Sequence, residues 1–388
     1  MVIVSVHTGH LFRNADAAEL STALLQARAA LERAFCLFEQ ELTDKNFVVP
    51  QMSTVNLPLW EFGHVAWFQE RWLARNSALH LGVRCNPVTS LHKSILDGAD
   101  ELFDSSAVKH DTRWRLRLPD LSATKEYASK VLNQSLAILN SQDTPSDSHY
   151  LFWLCAAHEF MHAEAFSYMA NTLSLASAAR FRKESFQQNT LIGGIDGYHR
   201  HSTRFGFDNE SEVQFTQADL EDVQAVELDH HPVSWEMLNE FRASPHYLDD
   251  KYWLGQRKVW EKALPIDEDN HSSAAAHVSY WEARAWCLWR GRALPSEAQW
   301  LAGVAANQLP WGHVWEWTCS EFSPFPGFVA HPYEDYSQPW FNKGFRVLKG
   351  GSIYTHERMK HPMYRNFFLP DRDDVCTGFR SCRQMTKV

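Results

Sequence analysis

Apolar residues recur at helical spacing through the first half of this chain and lose that spacing near Leu191, and this change of pattern restricts the fold more than any other feature. From Asp16, placed to act as an N-cap, Leu20, Leu24, Ala27, Leu31, Ala34 and Phe38 alternate steps of four and three, the stripe of a helix that faces a core. Pro58 suits a helix start, and the stretch 59–76 carries Trp60, His64, Trp67, Phe68 and Trp72 at helical spacing. A third helix is predicted over 122–139 and a fourth over 148–173, behind the breaker run Thr144-Pro145-Ser146-Asp147. Four long helices predict a bundle, an architecture that builds metal sites from inward side chains on facing helices.

Beyond Leu191 the chain turns to Gly-rich turns (Gly193-Gly194, Gly350-Gly351), short apolar runs and scattered aromatics, which predicts few long helices. The exception is 278–289, where Tyr280, Ala283, Trp286 and Cys287 line a helix face. A polar linker over 175–190, with Arg180, Arg182, Lys183, Gln187 and Gln188, divides the two parts. The expectation is an α+β chain with a four-helix bundle over 15–178 and a mixed domain over 190–388, and 388 residues suit two domains.

Composition narrows the function. With 37 basic against 47 acidic side chains the net charge is −10, which argues against a nucleic-acid backbone or an anionic membrane surface as partner. No apolar run is long enough to span a bilayer, and the N-terminus lacks a basic n-region, so a cytoplasmic protein is expected. The seven Cys are odd in number and include no CxxC pair, so neither a disulfide framework nor a thiolate metal site is suggested. The 20 His and 16 Trp, by contrast, ask for an explanation.

His158-Glu159-Phe160-Met161-His162-Ala163-Glu164 lies inside the fourth helix, where His158 and His162 project from one face a turn apart and can share a metal ion. Read literally, this is also HExxH, the zinc-peptidase motif in which Glu159 would be the general base. His64, on the second helix, is the natural third ligand. Three imidazoles without a carboxylate leave open positions on six-coordinate Fe(II) or one on tetrahedral zinc, and three structural histidines are the remaining alternative.

Together, Trp60-x-x-x-His64-x-x-Trp67-Phe68, the His158-x-x-x-His162-x-Glu164 helix, Gly291-Arg292-Ala293-Leu294-Pro295-Ser296-Glu297-Ala298-Gln299-Trp300, Val314-Trp315-Glu316-Trp317-Thr318, Lys349-Gly350-Gly351-Ser352 and Gly378-Phe379-Arg380 make the chain resemble the ergothioneine-type sulfoxide synthases. The resemblance runs over about 20–383 and implies a DinB-like bundle followed by a formylglycine-generating-enzyme-like, C-type-lectin-like domain. It implies a facial iron site of His64, His158 and His162, and O2-dependent transfer of a chalcogen to the imidazole of hercynine, a histidine betaine. It also implies a hercynine contact at Asn366. A formylglycine-generating enzyme itself is not expected, because Pro362-Met363-Tyr364-Arg365 lacks the cysteine that chemistry requires.

Three positions depart from the family pattern. Met161 replaces a Gln that can donate to an imidazole, Phe325 stands where the Pro-Tyr-Pro-Gly-Phe motif has its proton-donating Tyr, and Phe368 replaces an Asp that reads a donor's amino group. These three positions line the expected substrate pocket. Arg113 is the candidate to contact the donor, since its guanidinium offers a fixed fork, although an exposed loop arginine is as good a reading. The departures, with the Asp104-Ser105-Ser106 and His110-Asp111-Thr112-Arg113-Trp114 stretches, look more like the selenoneine synthase branch, which joins hercynine to a selenosugar. An ergothioneine synthase using cysteine or γ-glutamylcysteine is the alternative, and the zinc peptidase the alternative from another class. Only small-molecule substrates are expected; no protein partner is inferred.

Overall fold

The computed structural model describes residues 7–86, 91–141, 145–178, 203–210, 226–256, 273–306 and 309–384. The first part is helical. A short α1 (His7–Arg13) precedes α2 (Ala17–Leu42), where the Asp16 side chain accepts from Glu19 N–H as the sequence predicts and Leu20, Leu24, Ala27, Leu31, Ala34 and Phe38 are all buried. Next come α3 (Pro58–Trp72), α4 (Ala99–Phe103), α5 (Leu121–Leu139) and α6 (His149–Thr172). Helix α3 stops four residues short of the predicted end, because Leu73 leaves the helical region (φ −107°, ψ −80°). The long helices α2, α3, α5 and α6 pack on one another, with α2 laid along α6.

Among the described residues the second part carries six strands: β1 (Val226–Leu228), β2 (Trp315–Glu321), β3 (Arg346–Lys349), β4 (Asn366–Phe368), β5 (Thr377–Phe379) and β6 (Cys382–Gln384). Four form a mixed sheet in the order β4-β3-β2-β5, in which β2 and β5 run parallel and the other pairs antiparallel; β1 and β6 pair separately. The predicted helix over 278–289 begins at Tyr280 and ends at Trp289, capped by the Ser279 hydroxyl. Helix Glu297–Ala305 opens with a capping box between Ser296 and Gln299. Part of the tryptophan excess is spent here: Trp300 donates to Glu316 Oε2 (2.9 Å) and Trp317 to the Val278 carbonyl (2.7 Å), so buried indole N–H groups tie the sheet to its flanking segments.

The two parts meet over a broad contact. Arg13 of α1 pairs with Glu210, Arg358 donates to Gln26 (2.6 Å) and Glu19 (3.0 Å) of α2, and Gly9 lies so close to the Lys360 carbonyl that an added Cβ would sit 2.1 Å from its oxygen. Most of the expected linker, 179–190, lies outside the described residues. All seven Cys are free thiols, and no helix among the described residues is long and apolar enough to cross a membrane.

Candidate metal centre

Helix α6 is almost wholly buried, but between Met161 and Tyr168 the partly exposed residues are Met161, His162, Ala165 and Tyr168. At steps of one, three and three these four share one face, so the helix turns a single stripe toward open space. At the inner end of that stripe His158 and His162 meet His64 of α3, with candidate ligand atoms of all three within 4.8 Å of one another. The two Nε2 atoms of His158 and His162 lie 3.1 Å apart.

The other faces of the rings are held from behind. His64 Nδ1 donates to the Phe103 carbonyl at the end of α4 (2.8 Å), and His162 Nδ1 donates to Glu61 Oε1 (2.6 Å), which leaves each Nε2 lone pair for a cation. His158 Nδ1 is buried with no hydrogen-bond partner among the described residues, and its ring is fixed instead by Phe68, stacked at 3.6 Å and 6°. Gly63 makes room for this arrangement, because an added Cβ would come within 2.4 Å of the Phe103 ring.

Burial, aided by the neighbouring His162, lowers the His64 pKa to about 3, and burial pushes His158 well below the ordinary imidazole range. Burial alone would raise Glu61, but the His162 imidazole against it brings the carboxyl down to about 2. The centre therefore brings together three imidazoles, backed by one carboxylate, Glu61, that hydrogen-bonds to His162 from behind. That donor set fits a borderline divalent ion such as Fe(II) or Zn(II), and three ligands would leave such an ion positions for other groups.

Glu159, the base of a literal HExxH reading, does not serve the centre. Its carboxylate pairs with Arg28 of α2 (Nε to Oε1, 2.5 Å), and Arg28 also donates to the Ala128 carbonyl (2.6 Å) and Gln69 Oε1 (3.0 Å). One residue along a helix rotates the side chain by roughly 100°, which here turns Glu159 into the bundle, so the peptidase reading loses its general base. Glu164 turns the other way. It accepts from Trp315 Nε1 (2.8 Å), Ser352 Oγ (2.7 Å) and Thr355 Oγ1 (2.8 Å), residues that all belong to the second part.

Of the other residues singled out in the sequence, Met161 lies on the open stripe beside His162. Phe368 ends β4 with its ring 6.4 Å from that of Tyr168, under the guanidinium of Arg372 (4.9 Å), which is paired with Asp374 (2.5 and 2.7 Å). Asn366 starts β4, half-buried, its side-chain oxygen accepting from Phe367 N–H. Arg113 is not an exposed loop residue: it is buried over the Trp60 ring (3.7 Å) and donates to Asn56 and to the Val108 carbonyl, because the segment 108–115 folds back on the start of α3. Phe325 lies under the Arg365 guanidinium (4.3 Å) and lines a cavity of about 410 Å³ with Arg13, Asp208, Glu210 and His331, a lining that includes none of the three histidines.

Tyr333, which no sequence signal marked, is the tyrosine among the described residues whose ring meets a triad imidazole, edge-on to His158 at 5.9 Å and to Phe68 at 4.9 Å. Its loop is pinned at both ends, with Asp335 accepting from Ser106 and Asp208 accepting from Ser337 Oγ (2.7 Å) and His331 N–H (3.2 Å).

A histidine triad built from the bundle is thus joined through the buried Glu164 to a mixed sheet, and the comparisons with known proteins make the chain an oxidoreductase. Residues 309–385 match the sulfatase-modifying factor enzyme 1-like domain. Across 93% of its length the chain is 26% identical to the hercynine oxygenase of Mycobacterium tuberculosis, covering 98% of that protein. It is 24% identical to the hercynine oxygenase of Mycolicibacterium thermoresistibile, over 94% of both, and 24% identical to that of Mycolicibacterium smegmatis, over 85% of this chain and 91% of the relative. Over nearly its whole length the chain is thus similar to hercynine oxygenases, and its C-terminal part to the sulfatase-modifying factor domain.

Proposed function

We propose that the protein is a non-haem Fe(II)- and O2-dependent synthase that forms a C–Se bond between the imidazole of hercynine and a selenosugar. The observation that carries this is the triad itself: three imidazoles with candidate ligand atoms close together, no carboxylate among them, and a partly exposed stripe of α6 beside them. Iron held by His64, His158 and His162 would supply activation of O2 and a docking point for the chalcogen. The DinB-like nature of the helical part, the lectin-like nature of the second, their boundaries at 15–178 and 190–388 and a cytoplasmic setting belong to the same proposal.

The chain's own groups have definable tasks. Glu61 and the Phe103 carbonyl keep His162 and His64 in their Nδ1–H tautomers. From His162 to Tyr168 the α6 wall runs roughly 9 Å at 1.5 Å per residue, the length of a small substrate. Met161, Tyr168 and Phe368 make that wall apolar and aromatic, a suitable seat for a quaternary ammonium, which cannot hydrogen-bond. Tyr333, whose phenol is raised above its ordinary range by burial, keeps its proton beside His158 and takes the donor role that Phe325 cannot. Asn366 remains the amide proposed for substrate positioning.

Phe368 has no charge with which to read an amino group, and the Arg113 guanidinium is bound to Asn56 and Val108 rather than turned outward. Both support an uncharged sugar donor. Arg372, lying over Phe368, favours the second reading, a hercynine sulfoxide synthase using the carboxylate-bearing donors cysteine or γ-glutamylcysteine. Aerobic incubation of the Fe(II)-loaded protein with hercynine and each donor in turn is the test. Selenosugar-dependent loss of hercynine is expected, turnover with a thiol alone selects the second reading, and no loss with any donor ends both.

A further inference from the structure

We propose that Arg113 and Asn56 are positioning residues for the metal ligand His162, acting on it through Glu61; the proposal rests on the metal reading above. The atoms form one line. Arg113 Nη1 donates to Asn56 Oδ1 (2.6 Å), Asn56 Nδ2 donates to Glu61 Oε2 (2.7 Å), and His162 Nδ1 donates to Glu61 Oε1 (2.6 Å). The orientation of the Asn56 amide follows from its neighbours. A guanidinium only donates and a carboxylate only accepts, so the amide oxygen faces Arg113 and the nitrogen faces Glu61.

Arg113 is itself immobilised. Its Nε and Nη2 donate to the Val108 carbonyl (3.3 and 3.2 Å), and its guanidinium lies 3.7 Å from the Trp60 ring centroid. Trp60 in turn stacks on His64 at 5.0 Å and 6°. One buried cation is thus tied to the supports of two of the three ligands, by a hydrogen-bonded line to His162 and by a ring stack to His64.

Hydrogen bonds in a line polarise one another, which gives this one a direction. Electron density drawn from Glu61 toward Asn56 and Arg113 weakens the acceptor offered to His162, so the imidazole donates less to its metal. Cutting the line at Asn56 therefore strengthens His162 as a ligand, whereas neutralising Glu61 weakens it. A purely structural role would not move the two variants in opposite directions.

The test uses the full chain loaded anaerobically with Fe(II), reading stoichiometry, Kd and the Fe(III)/Fe(II) midpoint potential. For Glu61→Gln we expect about 10- to 100-fold weaker iron binding and a higher potential, as for loss of other partners behind metal-bound histidines. For Asn56→Leu, nearly isosteric and leaving Arg113 on Trp60, we expect a lower potential than wild type. Should Asn56→Leu not fold, as judged by circular dichroism, Arg113→Gln carries the same expectation. Shifts of the same sign, or an unmoved potential on cutting the line, overturn the proposal even if the wild type binds one iron and consumes hercynine. Absence of stoichiometric iron in the wild type overturns it together with the function proposed above.

Discussion

Trp315 donates its indole N–H to Glu164 at 2.8 Å, and through that bond the helix that carries His158 and His162 is joined to the sheet of the second part. Ser352 and Thr355 donate to the same carboxylate, so three buried donors depend on one acceptor.

Glu164→Leu leaves those donors without a partner. At about 1–3 kcal/mol for each buried group left unsatisfied, the loss approaches the whole stability of a typical domain, whereas Glu164→Gln keeps an acceptor and costs about 1–2 kcal/mol. Urea denaturation of both variants checks this; equal stability of Leu and Gln at this position would remove the clamp from the account.

Glu159→Gln separates the two readings of the HExxH motif. The buried Arg28 loses its counter-charge, so a loss of about 3–5 kcal/mol is expected, with iron stoichiometry unchanged. Metal analysis and thermal melting of the same preparation read both.

Gly63→Ala drives a methyl group into the Phe103 ring, and the Phe103 carbonyl orients His64. The expected outcome is a folded protein, destabilised by about 1–3 kcal/mol, with weakened iron binding. Phe103→Leu in the same chain should restore part of the affinity, measured by iron titration.

Tyr333→Phe removes a hydroxyl but keeps the ring that packs on Phe68 and His158. Iron binding and melting temperature should match wild type, while turnover of hercynine with its donor falls by about 10²–10⁴-fold, the usual worth of a positioned proton donor. Unchanged turnover would reassign the proton.

Burial lowers the pKa of His356 to about 3 and that of His313 to about 4. In the unfolded chain each takes a proton near the ordinary value of about 6.5, so the unfolded state binds more protons as pH falls below that point. Stability of the metal-free protein should therefore be full above about pH 6.5 and decline steadily toward pH 4. In His356→Asn, which keeps the side-chain acceptor for Arg358 N–H but cannot titrate, urea midpoints measured across that range should fall less steeply.

The α2 stripe and its Asp16 cap were legible in the sequence because periodicity and capping are local properties, and His158 and His162 were legible because four residues on a helix fix their shared face. The fate of Glu159 was not, since spacing says that it leaves the His face but not that Arg28, 131 residues away, waits on the other side. The roles of Glu61 and Arg113 were hidden for the same reason: a partner brought by folding, His162 for one and Trp60 with Asn56 for the other, leaves no trace in local pattern. Tyr333, the proton donor proposed in place of the missing Phe325 hydroxyl, carries no local signal either, because only the fold brings its ring against His158.

His162 and Glu164 are two residues apart on one rigid helix, the first facing the metal cage and the second gripping the neighbouring sheet. Because all three histidines belong to the helical part, parting the two walls would leave the cage whole and break the three Glu164 bonds, so the cost of any such opening falls on the clamp and not on the ligands.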